Sequence, residues 1–310
     1  MTTIPRALAG AFALAALTVP AMAQERVTYR SAKAGSSYYQ MGVEIAEAVQ
    51  GTGIDVTLEE SQGSVQNVMQ APMRGGDYVF TAPPALVDAA RAGTGAFEER
   101  GAEPFQTIRA LFPIPSLTMH FVVAGEVEPS MASLDGRSVL LGQGSFGATE
   151  GAKYLEMFAP GAEGLDAELS GAVAALQNGQ VDAFVTAGSW PAPNVIEAAA
   201  TTPVTILSLT PEQVAETGRT ELVIPAGTYE GQDADVRTTS LPVVAYATEA
   251  MSEDAAYALT KGFWEAQAAL EASAPWWAGV TPDLLSNVTG AFHPGAVRFY
   301  EEAGVPLPAN

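Results

Sequence analysis

Residues Ser138–Phe158 read SVLLGQGSFGATEGAKYLEMF, and this segment sets the fold class. Ser138–Leu141 is an apolar run of strand length. Gly142, Gly144, Ser145 and Gly147 make a small-residue turn, and Thr149, Ala152, Lys153, Leu155, Glu156 and Phe158 continue at helical spacing. A strand that enters a glycine turn and leaves as a helix aims several unpaired backbone N–H groups outward. Together with the positive end of the helix dipole, these make a site for a small anion. Gly142–Gly147 also fits the dinucleotide pattern G-x-G-x-x-G, and Glu168 lies about twenty residues on, where a ribose-binding acid would stand.

The same device recurs along the chain. The strand Arg26–Arg30 runs into the small-residue loop Ser31–Tyr39, where Ser36 or Ser37 is the expected N-cap of a helix carrying Met41, Ile45, Ala48 and Val49. Ile54–Glu59 alternates like a strand, followed by Ser61-Gln62-Gly63-Ser64 and a helix with Val65, Val68 and Met69. Asp77–Thr81 is a buried strand before Ala82-Pro83-Pro84. Asp182–Thr186 echoes it and leads into Ala187-Gly188-Ser189-Trp190-Pro191. Residues 63–81 and 144–190 thus follow a similar order, and parallel sheets place ligands at strand C-terminal ends, where these turns lie. The predicted fold is α/β and two-lobed, each lobe a mainly parallel sheet flanked by helices, with a ligand cleft between the lobes.

Ile108–Phe112 and Met119–Ala124 read as two strands split by Pro113 and Pro115, and the polar segment Glu126–Ser130 as a crossing between lobes. Ser240–Ala247 reads as the strand leading back, Ala255–Ala272 as one amphipathic helix, and Phe292–Tyr300 as a last helix. The expected division is 24–125 for the first part of lobe one, 126–235 for lobe two, and 236–310 for the return to lobe one.

Residues 1–23 read as a secretory signal: Arg6 begins it, Ala7–Val19 is its apolar core, and Ala21-Met22-Ala23 is the cleavage site. Export argues against a nicotinamide enzyme, because soluble dinucleotide cofactors are cytoplasmic. Of the 310 residues, 14 are Lys or Arg and 35 are Asp or Glu, a formal net charge of −21 that argues against nucleic acid and anionic lipid surfaces as partners. The chain has no cysteine and two histidines far apart, His120 and His293, which leaves little for thiol chemistry or a metal site. Gln143-Gly144-Ser145-Phe146-Gly147 lacks the first glycine of G-x-S-x-G, and Glu59-Glu60 point to opposite faces of a strand. No catalytic residue, metal or cofactor is expected, and a monomer is.

Several segments, taken in order, resemble one family: the TAXI branch of the solute-binding proteins of TRAP transporters. They are Ala34-Gly35-Ser36-Ser37-Tyr38-Tyr39, Gly63-Ser64-Val65-Gln66-Asn67, Gly142–Gly147 with its helix, and Asp182-Ala183-Phe184 with its turn. Ile224-Pro225-Ala226-Gly227-Thr228-Tyr229 and His293-Pro294-Gly295-Ala296 with Tyr300 complete the set, which spans nearly the whole chain after the leader. The resemblance implies a type II periplasmic-binding-protein fold. It also implies capture of a small carboxylate, of the glutamate, glutamine or C5-dicarboxylate sort, for an ion-driven membrane permease. Carried over by position, the ligand-binding residues are Ser37, Tyr38, Ser64, Val65, Ser145, Gly147 and the turn at Gly188. The reading of the helix starts adds Lys33, Ser36, Gly63, Phe146, Thr149 and Trp190. Phe146, Lys33 and the segment Gly188–Pro191 depart from the family pattern, so the ligand can differ from glutamate. A binding protein of another transporter or of a sensor, and a dinucleotide oxidoreductase, are the alternatives.

Overall fold

The computed structural model describes residues 25–34 and 36–308, so the leader and its cleavage site lie outside the described residues. Strand β1 (Glu25–Arg30) leads to helix α1 (Ser37–Ala48), with β2 (Ile54–Glu59), α2 (Ser64–Gln70), β3 (Tyr78–Ala82) and α3 (Pro84–Ala92) following. β1 lies between β2 and β3 and is parallel to both. The long strand β4 (Ile108–Ala124) then passes to β5 (Ser138–Leu140), α4 (Phe146–Phe158), β6 (Glu163–Leu165), α5 (Ala172–Gln177), β7 (Ala183–Gly188) and α6 (Pro193–Thr201). Here β5 lies between β6 and β7, again parallel to both. The two units therefore have one topology: first strand in the middle, second outside, third inside.

β8 (Val204–Ile206), α7 (Pro211–Thr217), β9 (Thr220–Ile224) and β10 (Val236–Thr248) come next, and α8 (Glu253–Glu265), α9 (Gln267–Ser273) and α10 (Pro294–Glu302) end the chain. The segment read as one helix over 255–272 is thus two, parted at Ala266. These helices and the turn after α9 pack on the first unit: Tyr300 Oη of α10 donates to the Leu111 carbonyl at 2.9 Å, and the indoles of Trp276 and Trp277, in that turn, both donate to Glu44 of α1.

The ten strands form one sheet, parallel within each unit and antiparallel where β4 and β10 join them. Residues 108–118 of β4 pair with β10, and residues 118–123 pair with β7, so a single strand carries the chain from one unit to the other. This differs from the expected pair of short strands with a crossing at 126–130. The reason lies in the prolines. Pro115 and Ser116 together stand opposite Pro242, the register slipping by one residue between Leu241 and Val243. A bulge at that point asks no ladder hydrogen bond of a residue that lacks an N–H, so the strand continues through it.

Strand alternation divides the core of the second unit. Val139, Leu141, Ala183 and Val185 join the main hydrophobic cluster, which also fills the first unit, whereas Leu140 and Phe184 turn to a smaller one with Val173, Leu176 and Val195. Among the described residues no helix is long and apolar enough to cross a membrane.

Candidate functional site

Three of the four predicted helix starts meet. A hollow of about 730 Å³, its open mouth included, is lined by Lys33, Ser36 and Tyr38 at the start of α1, by Gly63 and Ser64 at the start of α2, and by Ser145, Phe146 and Gly147 at the start of α4. Leu117 of β4 and Val243 of β10 form part of its floor, so the strands joining the two units also underlie it.

The hydroxyls differ in what they leave for a ligand. Ser36 Oγ accepts from the Tyr39 N–H and donates to the Lys33 carbonyl at 2.7 Å, as an N-cap. Ser145 is built the same way, accepting from the Ala148 N–H at 2.9 Å and donating to the Gly142 carbonyl at 2.8 Å. Tyr38 Oη donates to the Pro115 carbonyl at 3.0 Å, and burial holds its phenol well above the usual range, so it stays neutral. Ser64 stands at the first position of α2, a helix with no side-chain cap, and lines the hollow with its hydroxyl uncommitted among the described residues. The first N–H groups of α2 have no intrahelical acceptor either.

A network behind the first unit fixes these loops. Asn67 Nδ2 donates to the carbonyls of Ser31 at 2.7 Å and Thr81 at 3.2 Å, Ser61 Oγ donates to the Ser31 carbonyl at 2.9 Å, and the Gly63 N–H donates to Ser61 Oγ at 3.1 Å. The second unit uses charge instead. Glu150 of α4 is buried, accepts from Lys153 Nζ at 2.8 Å, and holds Arg219 through Nε and Nη2 at 3.1 and 2.8 Å.

The two sides touch across the hollow. Gly144 has φ +70°, and a Cβ there would stand 2.5 Å from Gln62 Oε1; a Cβ on Gly63 would stand 3.2 Å from Ser145 Cα. Gln62 therefore lies close against Gly144 of the Gly142–Ser145 turn. At the mouth, Lys33 Nζ pairs with Glu168 at 3.5 Å, and Gln62 Nε2 donates to the same carboxylate at 3.3 Å.

Five of the expected residues fall elsewhere. Thr149 is exposed, because α4 turns Phe146, Gly147, Glu150, Gly151 and Tyr154 inward and its opposite face to solvent. Val65 packs partly buried against the main core. Ser37 is buried and accepts the Ser189 N–H at 3.1 Å, while a Cβ on Gly188 would stand 2.7 Å from Ser37 Oγ; these two residues seal one edge of the hollow. Trp190 lies beyond that seal, in a separate crevice with Pro115, Ser116, Pro275 and Trp276. Strand alternation explains the separation: Leu117 of β4 faces the hollow, and its neighbours Ser116 and Thr118 face the crevice. The fourth helix start, that of α6, is closed by the Tyr229 hydroxyl, which accepts the Ala192 N–H at 2.9 Å.

Residues not expected at the hollow also line it, among them Ser31, Gln62, Thr81, Gln143 and Leu169. Gln62 and Ser31 sit in the predicted loops, so their neighbourhood was a usable signal. Both histidines are structural. His120 Nε2 meets the Tyr229 hydroxyl at 2.8 Å, Nδ1 lies 3.2 Å from the Thr118 carbonyl, and burial lowers its pKa to about 4. His293 caps α10, accepting the Gly295 N–H at 3.2 Å.

Solved structures similar to this one share its fold. The periplasmic binding protein BugD aligns at 14% identity over 92% of this chain and 99% of its own, with a TM-score of 0.58. A protein of Bordetella bronchiseptica RB50 aligns at 17% identity over 90% and 98%, with a TM-score of 0.51. An ancestral arginine-binding protein bound to arginine aligns at 14% identity over 83% and 100%, also at 0.51. The first and third are binding proteins by name, and the fold shared with them is the two-lobed α/β architecture expected from the sequence. The sequence profile of the NMT1-like family matches residues 30–304, and the chain belongs to that family.

Proposed function

We propose that this chain is an extracytoplasmic solute-binding protein of a TRAP-type secondary transporter, in the TAXI branch. It captures a small organic acid, of the glutamate, glutamine or C5-dicarboxylate sort, in the hollow between its lobes and delivers it to the membrane permease. It acts in the periplasm, after removal of residues 1–23, as a monomer. The observation that carries the reading is the convergence of the starts of α1, α2 and α4 on one hollow.

A carboxylate there gains roughly 0.3–1 kcal/mol from each helix start. Each charge-assisted hydrogen bond adds roughly 1.5–3 kcal/mol. One N–H bond from each of the three starts and one bond from the Ser64 hydroxyl give roughly 7–15 kcal/mol before the cost of association is subtracted, so measurable binding needs no arginine in the lining. β4 and β10, which run from one unit to the other beneath the hollow, are where a closing motion bends.

A thermal-shift screen against amino acids, C4–C6 dicarboxylates, aromatic acids and hydroxy acids tests the reading. At least one acid raises the melting temperature, further at each higher concentration and with the logarithmic dependence of single-site binding. Tight calorimetric binding of NAD(H), with no response to any acid, ends the transport reading.

A further inference from the structure

Among the described residues lining the hollow, two carry charge: Lys33 and Glu168. They come from opposite sides and pair with each other at 3.5 Å. Gln62, next to the start of α2, donates to Glu168 at 3.3 Å. The next cation of the first unit, Arg30, is turned away, its guanidinium on Gln66, Gln70 and Glu59. The side chains around the ligand space therefore sum to zero charge, and the one cation present already has a carboxylate.

This arrangement discriminates between acids. One carboxylate of a ligand takes the helix starts and their N–H groups, which need no counter-charge of their own. A second carboxylate has Lys33 as its one cationic partner in the lining. To reach it the ligand must displace Glu168, which then stands as a like charge beside the newcomer, released from its own partner. A ligand with a single carboxylate meets no such conflict, and an ammonium group on it gains Glu168 as acceptor. The acid that fits a ribose hydroxyl by its distance from Gly142–Gly147 thus has a different use here.

On the reading that the hollow takes an organic acid, we infer that Glu168 is a specificity-determining residue that narrows the acids proposed above to those with one carboxylate, glutamine and other zwitterions with a single carboxylate included, and rejects glutamate and the C5 dicarboxylates. Lys33 is its counter-ion and Gln62 its positioning residue. Specific sites discriminate by placing a like charge against the unwanted ligand as well as by attracting the preferred one.

The test uses the mature chain as wild type and as Glu168→Gln, titrated by calorimetry with three matched pairs: L-glutamine against L-glutamate, butyrate against succinate, and benzoate against phthalate. In whichever pair binds, the wild type holds the member with fewer carboxylates at least about tenfold more tightly. Glu168→Gln reduces that ratio by about tenfold, mainly through tighter binding of the second member. Lys33→Gln weakens both members without closing the gap. Unchanged selectivity in Glu168→Gln, with both proteins folded and binding, overturns the inference alone. So does a wild type that prefers the dicarboxylate. If no member of any pair and no acid of the thermal screen binds the wild type, the organic-acid reading falls, and this inference with it.

Discussion

The two parallel units share a topology and differ in how they meet the ligand space. In the first, the loop after the middle strand opens α1, and the loop after the outer strand opens α2 directly, with an uncapped start and the uncommitted hydroxyl of Ser64. In the second, the loop after the middle strand opens α4, but the loop after the outer strand carries Glu168 toward the hollow before α5 begins at Ala172. Topologically equivalent loops thus meet as donor and acceptor, Gln62 to Glu168. One fold used twice gives one side that offers hydrogen-bond donors and another that adds an acid. The supports differ likewise: neutral Asn67 ties the first unit's loops, and the ion pairs of buried Glu150 tie α4 to the segment before β9.

Removing the second unit's charged support breaks the comparison most severely. Glu150→Ala leaves Arg219 without its carboxylate beside the core and costs about 3 kcal/mol of stability, the low end for a broken buried pair because Arg219 is partly exposed. Urea unfolding measures it, and a loss within a few tenths of zero would mean that α4 is held by packing alone.

Acid acts next, on the strand the two units share. Burial lowers the pKa of His120 from 6.5 to about 4, so the unfolded chain takes a proton near pH 6.5 that the folded chain refuses until about pH 4. The contribution of this group is intact above pH 6.5 and is lost as pH falls through that window, reaching about 3 kcal/mol only at its lower end. Unfolding free energies at pH 7.5 and 5 should fall further for wild type than for His120→Gln. Equal slopes would remove His120 from the acid response.

The smallest effects sharpen the contrast between the two serines. Ser145→Ala removes a helix cap and costs about 1 kcal/mol of stability. Ser64→Ala leaves stability unchanged and weakens binding of the acid found by the thermal screen by about 1–3 kcal/mol. A reversal of the two outcomes would mean that the donors on the two sides have been misassigned.

Much of this organisation was legible in the sequence, because local rules decide it. A strand, small residues and a capping serine fix a helix start within a dozen residues; of the two serines offered for the first cap Ser36 takes it, and Ser145 does the same at α4. What escaped depends on phase or on distant partners. Thr149 shares helical spacing with residues of the outer face of α4; the inward face is marked by Gly147 and Gly151, which fit close against Ala187 and Val185. The continuity of β4 through Pro113 and Pro115 depends on Pro242 in another strand. The use of Glu168 depends on Lys33 and Gln62, brought to it by the packing of one unit on the other.

The central claim is that the two units close their helix starts around one small acid. The chain has no cysteine, so spin labels can be placed singly at Glu47→Cys on α1 and Glu156→Cys on α4, both exposed positions. Electron–electron distance measurement, without and with the acid that most raises the melting temperature, should show the separation shorten and its spread narrow at saturation. An identical distance distribution in the two states, with binding verified on the labelled protein, would contradict the account.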